Sequence, residues 1–196
     1  QNPIGCDMGG IRFLALSNNT FIDSPEFMKP FESELRILQR KLARQKKGSK
    51  SREKTKQKIR KIYKKISNRR LDFLHKVSTN LSNEYSVVYI ENLKLQKMQQ
   101  NGFSNINKMM SDKSFGNFKL LLSYKLKERG KHLGLVNPAY TSQTCNACGT
   151  VDKKSRISQA EFVCTSCGNI DLADINASKI ICSKGITAST KRKTLV

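Results

Sequence analysis

The chain has 196 residues, enough for one ordinary domain or one domain with a small insert. It carries 37 Lys and Arg against 15 Asp and Glu, a formal net charge of +22, with no Trp and 7% aromatic residues. That excess favours a polyanionic partner, nucleic acid above all, and no apolar run approaches the roughly 18 residues of a membrane-spanning helix, so no membrane role is expected.

Residues 4–17 read as two short strands joined by a tight turn at Gly9-Gly10. Asn18-Asn19 marks the next turn, and Pro25 and Pro30 mark a loop that leads into a helix. From Glu32 to about Glu84 apolar residues recur at helical spacing, with a break at Gly48-Ser49-Lys50-Ser51. Residues 36–70 hold 17 Lys or Arg and one acid, Glu53. Balancing i,i+4 acids are nearly absent, so two basic helices suited to a phosphate backbone are expected. The candidate contacts are Arg40, Lys41, Arg44, Lys46, Lys47, Lys58, Lys61, Arg69 and Arg70.

Ser86 to Glu91 reads as a strand, residues 96–111 as a polar loop, Phe115 to Gly130 as a helix and Leu133 to Val136 as a strand. The cysteine segment follows, then a helix from Ala173 to Cys182 and a loose basic tail. Met98, Met109 and Met110 make the polar loop a candidate lid. Strands alternating with helices predict an α/β sheet.

Four of the six cysteines form two Cys-x-x-Cys pairs, Cys145/Cys148 and Cys164/Cys167, each followed by a glycine. Two such turns aim four thiolates at one tetrahedral Zn²⁺ and leave no open position, so the ion is structural. Lys153, Lys154 and Arg156 on the connecting loop are placed to touch nucleic acid. Cys6 and Cys182 read as small buried residues, and His75 and His132 as surface or core histidines.

Three acids adjoin apolar elements: Asp7 in the first strand, Glu91 ending Val-Val-Tyr-Ile, and Asp174 at a helix start. A carboxylate in an apolar strand costs several kcal/mol unless it is paired or binds a metal. Taken singly each is a strand-end acid or a helix cap. Together they are hard oxygen ligands suited to Mg²⁺ or Mn²⁺.

Ile4-Gly-Cys-Asp-Met-Gly9, Tyr89-Ile-Glu-Asn-Leu93, Pro138-Ala-Tyr-Thr-Ser-Gln-Thr-Cys145 and Asp174-Ile-Asn-Ala177, in this order, resemble the catalytic half of TnpB. This is the OrfB-type transposon-encoded family related to type V CRISPR effectors. The resemblance implies an RNase H-like (RuvC) mixed sheet with a helical insertion and an inserted four-cysteine ribbon. It implies RNA-guided DNA cleavage with Asp7, Glu91 and Asp174 as catalytic acids, and guide RNA and target DNA as partners. It divides the chain into a core over 1–138 with its basic insertion at about 32–84, a ribbon over 139–170, a last core segment over 171–182 and a basic tail over 183–196.

Members often carry an Arg before the last Asp, where this chain has Ala173. The family's N-terminal half has no counterpart here, and the chain starts at Gln1, so a longer polypeptide or a second chain is expected to supply it. A bacterial or archaeal cytoplasm is the implied setting, or a nucleus in a eukaryotic host. The alternatives are a nuclease-dead repressor, a binding subunit of a larger RNA–protein assembly, or a strand-joining transposase.

Overall fold

The computed structural model describes residues 2–9, 12–93 and 114–193. Strands β1 (Pro3–Asp7), β2 (Leu14–Leu16), β3 (Phe21–Ile22), β4 (Val87–Glu91) and β5 (His132–Val136) form one mixed sheet in the order β3-β2-β1-β4-β5. β1, β2 and β3 pair antiparallel, while β4 and β5 extend the sheet in parallel with β1. The α/β expectation therefore holds.

Strand β3 is an addition to the sequence reading. It exists because the chain reverses at Asn18-Asn19. Asn19 takes φ +67°, and the Asn18 side chain accepts from the Thr20 N–H at 3.1 Å. Asparagine tolerates this left-handed backbone better than most residues. Gly10 lies outside the described residues, and with it part of the expected Gly9-Gly10 turn. The lid suggested for Met98, Met109 and Met110 also lies outside them.

Parallel neighbours need long crossovers, and helices supply them. Between β3 and β4 run α1 (Glu32–Arg44) and α2 (Lys50–Glu84); between β4 and β5 runs α3 (Phe115–Glu128). The predicted break separates α1 from α2. Ser49 caps α2 by accepting from the Arg52 N–H, and the Arg52 guanidinium donates back to the Leu42 and Gln45 carbonyls at the end of α1. With 35 residues, α2 is about 50 Å long. Its first half packs Ile62 and Ile66 against Leu35 and Phe27; its second half lays Leu74, Val77 and Leu81 on the sheet.

Alternation along the strands sends Ile4, Cys6, Val88 and Ile90 to one face, which α2 and α3 cover with Leu74, Phe118, Leu122 and Leu126. Phe13 joins the layers, with ring centroids 5.0 Å from Phe73 and 5.1 Å from Phe118. Lys125 is buried at this seam. Its ammonium donates to the His75 carbonyl, Ser78 Oγ and Thr79 Oγ1 at 2.7–2.9 Å, so α3 is pinned to α2 by a buried cation. Burial lowers its pKa.

The other face takes α4 (Ala173–Lys193). It crosses β1 so closely that a Cβ on Gly5 would lie 2.2 Å from the Ser178 carbonyl oxygen. The helix corrects the sequence reading, which ends it at Cys182 and leaves a loose tail. Gly185, Thr187 and Thr190 are weak helix formers, but a tertiary contact outweighs them. The Tyr89 ring fits against Gly134 and Gly185, where added Cβ atoms would come within 2.3 Å, and its hydroxyl lies 3.0 Å from Ser189 Oγ. No described helix is long and apolar enough to cross a membrane.

Candidate active site and metal centre

Asp7 is the last residue of β1 and Glu91 the last of β4. These strands are parallel and in register, with Cys6 opposite Ile90, so both carboxylates leave the same end of the sheet. Asp174 sits in the first turn of α4, and its Oδ2 would be 3.5 Å from a Cβ on Gly9. The three acids thus face one corner. Burial, then the charges of Glu91 and Asp174, push the Asp7 carboxyl up to about 7; Arg156 and the Met8 N–H oppose the rise. Burial also raises Glu91, against the Thr141 hydroxyl and Lys184.

Cations reach the corner from two directions. Arg156, on the ribbon loop, places Nη2 3.4 Å from Asp174 Oδ1. Lys184, on α4, donates to the Ala139 carbonyl at 2.7 Å, and its charge favours the ionised form of Glu91. Thr141, buried, donates its hydroxyl to Glu91 Oε1. The sequence marks Arg156 as a nucleic-acid contact on the ribbon loop, not as a partner of Asp174, and assigns Thr141 and Lys184 no role. Local pattern does not give their partners, because each acts across at least 18 residues.

The four cysteines close a second centre. Cys145, Cys148, Cys164 and Cys167 present Sγ atoms that all lie within 4.8 Å of one another, with 3.8 Å between Cys145 and Cys167 and 3.6 Å between Cys148 and Cys164. A tetrahedron with metal–sulfur bonds of about 2.3 Å has edges of about 3.8 Å, so the spacing fits Zn²⁺. Each pair makes the same knuckle. Gly149 and Gly168 have φ +77° and +71°, and their N–H groups return to the Cys145 and Cys164 carbonyls at 3.0 Å. The Cys167 and Ser166 N–H groups lower the Cys164 pKa, favouring the thiolate a metal needs. The ribbon strands β6 (Glu161–Val163) and β7 (Ile170–Leu172) pair antiparallel, and Phe162 fills the small core. Ala173 is buried in that core.

Asp171 accepts from Lys179 at 2.7 Å and Asn146 at 3.0 Å, tying the ribbon to α4. His132 starts β5, at the end of the sheet away from Glu91, and His75 lies within α2. Cys6 is fully buried and Cys182 partly so; burial raises both thiols. Among the basic candidates, Arg40, Lys41, Arg44, Lys46, Lys47, Lys58, Lys61 and Arg69 are exposed and Arg70 is half-buried. Arg69 also lies over the Phe31 ring at 5.1 Å, and Arg70 over Phe27 at 5.8 Å.

The chain is 32% identical over 187 residues to an RNA-guided DNA endonuclease by name from Streptomyces pristinaespiralis, covering 95% of this chain and 46% of that protein. It is 33% identical over 195 residues to the similarly named InsQ of Escherichia coli K12, covering 93% and 48%. The chain thus spans about half the length of the curated relatives it matches. In fold it is similar to a protein chain in a cryo-EM structure of a Cas12f1–sgRNA–target DNA complex, with TM-score 0.61 at 21% identity, covering 91% of this chain and 49% of that one. A model of the Cas12f1-like TNB domain matches residues 115–181. The OrfB_IS605 model, described as a probable transposase, matches residues 1–102, and the chain belongs to that family of TnpB-type proteins.

Proposed function

We propose that this chain is the RuvC-type catalytic part of an RNA-guided DNA endonuclease, with Asp7, Glu91 and Asp174 as the ligands of catalytic Mg²⁺ or Mn²⁺. The observation that carries the reading is the shared corner. Asp7 and Glu91, far apart in sequence, leave the same end of adjacent in-register strands, and Asp174 opens the helix beside Gly9, so that both other acids disfavour the charged form of Asp7. Such crowding of hard oxygen donors is costly without a cation and is what a divalent ion would relieve. The sheet order, with three antiparallel strands and two parallel additions, supports an RNase H-like core. The names of the relatives support the substrate class.

A pair of ions at these carboxylates would activate water and stabilise the leaving oxygen of a phosphodiester. The chain's own groups do the rest. Arg156 supplies a guanidinium beside Asp174, placed to meet a phosphate oxygen. Lys184 adds positive charge on the Glu91 side. The exposed basic faces of α1 and α2 hold the nucleic-acid backbone without reading sequence. Sequence is read by guide RNA pairing with target DNA. The grip on the guide comes from residues beyond this chain, in the same polypeptide or in a second one. The four cysteines hold a structural Zn²⁺, and the setting is a bacterial or archaeal cytoplasm.

The test is cleavage of single-stranded DNA in Mg²⁺ and in Mn²⁺, with copurified RNA retained. Wild-type protein is expected to cut and Asp7→Ala to lose all cutting. A wild-type protein that binds DNA but cuts in neither metal would make it a binding subunit instead.

A further inference from the structure

Residues beside the first cysteine knuckle bond Glu91 and the helix turn that carries Asp174. Thr141 is 3% exposed, and its hydroxyl lies within reach of Glu91 Oε1 and, at 2.9 Å, of the Pro138 carbonyl. One proton cannot serve both acceptors, and an ionised Glu91 takes it. Four residues later comes Cys145. The turn between them is tight: the Tyr140 carbonyl accepts from Thr144 Oγ1 at 2.6 Å and from the Gln143 and Thr144 N–H groups at 3.1 Å. Tyr140 itself has φ +61°, a left-handed backbone that a non-glycine residue holds only when its surroundings enforce it.

The residues on either side of Cys145 then grip α4. Asn176, fully buried and two residues beyond Asp174, accepts from the Asn146 backbone N–H at 2.9 Å and from Asn146 Nδ2 at 2.8 Å. Its own amide donates to the Thr144 carbonyl at 2.7 Å. This fixes the first turn of α4 against the knuckle. A buried polar group with these bonds has one orientation, and loosening the knuckle strands all three.

We propose that the first knuckle is the positioning element of the carboxylate corner, with Thr141 positioning Glu91 and Asn176 positioning Asp174. Ion loading at the four cysteines thereby sets the affinity of the acids for a divalent cation. The inference rests on the reading of Asp7, Glu91 and Asp174 as a cation site. It makes Thr141 and Asn176 positioning residues that need touch neither substrate nor ion.

The test is Mn²⁺ uptake by the full chain, counted from the free-ion electron paramagnetic resonance signal. Zinc-loaded protein is compared with chelator-treated protein and with Thr141→Val, Thr141→Ser and Asn176→Ala. Removing a hydrogen-bond partner that orients a ligand typically weakens metal affinity by about 10-fold or more. Thr141→Val and zinc removal should each do so, while Thr141→Ser, which keeps the hydroxyl, should stay within about 3-fold of wild type. Asn176→Ala should weaken Mn²⁺ uptake and also speed zinc release to a chromogenic chelator. If that variant fails to fold, the Thr141 pair decides. Unchanged Mn²⁺ affinity in Thr141→Val or after zinc removal overturns the inference alone. A wild-type protein that takes up no Mn²⁺ overturns the cation-site reading, and this inference with it.

Discussion

Asp7 and Glu91 end adjacent parallel strands at the same level of the sheet, because Cys6 pairs with Ile90 one residue earlier. Both are half-buried, both have raised pKa values, and the charge of Glu91 is the largest effect on Asp7 after burial. Two carboxylates set this way repel each other whenever both are ionised.

That repulsion has a pH signature. The Asp7 pKa rises from 3.8 unfolded to about 7 folded, so between these values the folded chain holds a proton that the unfolded chain has released. Stability therefore falls as pH rises from about 4 to 7 and is lowest above 7. The full penalty is roughly 4 kcal/mol. Thermal melts without divalent ions should show the decline, Asp7→Asn should flatten it, and millimolar Mg²⁺ should restore wild-type stability at pH 8.

Gly5→Ala tests the close approach that seats α4. An added Cβ would come within 2.2 Å of the Ser178 carbonyl oxygen and 2.6 Å of the Cys182 nitrogen, both backbone atoms that cannot swing aside. The helix must lift off β1, carrying Asp174 with it. A destabilisation of about 3 kcal/mol or more is expected in urea unfolding. Gly48→Ala is the contrast: nothing lies within 4 Å of its Cβ, and the left-handed φ of +82° costs only about 1 kcal/mol.

Cys164→Ser should open the ribbon without unfolding the sheet. The ribbon core holds Cys145, Phe162, Cys164 and Ala173, which is too small to stand without the four-thiolate centre. Hydrogen exchange should accelerate at the Cys145, Gly168 and Ala173 N–H groups, which bond within the ribbon. The β1–β4 ladder should keep its protection.

Much of this arrangement is legible in the chain. The two Cys-x-x-Cys pairs carry their geometry locally, since each knuckle is closed by its own backbone. Asp7 and Glu91 stand out because each ends a short apolar strand. The rest depends on tertiary neighbours that no local pattern encodes. The end of α4 is written in weak helix formers and exists because Tyr89 packs on Gly185. Thr141 and Asn176 stand in recognisable motifs, but their partners lie 50 and 32 positions away and only the fold brings them together. A count of basic residues cannot separate Arg52, which caps α1, from Lys58 and Lys61, which face solvent.

That last distinction predicts a salt effect. Lys58→Gln with Lys61→Gln should weaken binding to single-stranded oligonucleotides of any sequence. The slope of log affinity against log salt should become shallower by about 0.7 for each phosphate that is no longer neutralised. Fluorescence anisotropy at several salt concentrations measures it, and stability should be unchanged.

The central claim is that residues 7, 91 and 174 surround one divalent-ion site. Fe²⁺ substituted for Mg²⁺ reports this directly, since with ascorbate and peroxide it generates hydroxyl radicals that cut the polypeptide beside the bound ion. Fragments are expected from cuts near Asp7, Glu91 and Asp174 together, suppressed by excess Mg²⁺ and absent in Asp7→Asn. Cuts confined to one of these positions, or clustered elsewhere and indifferent to Mg²⁺, would contradict the account.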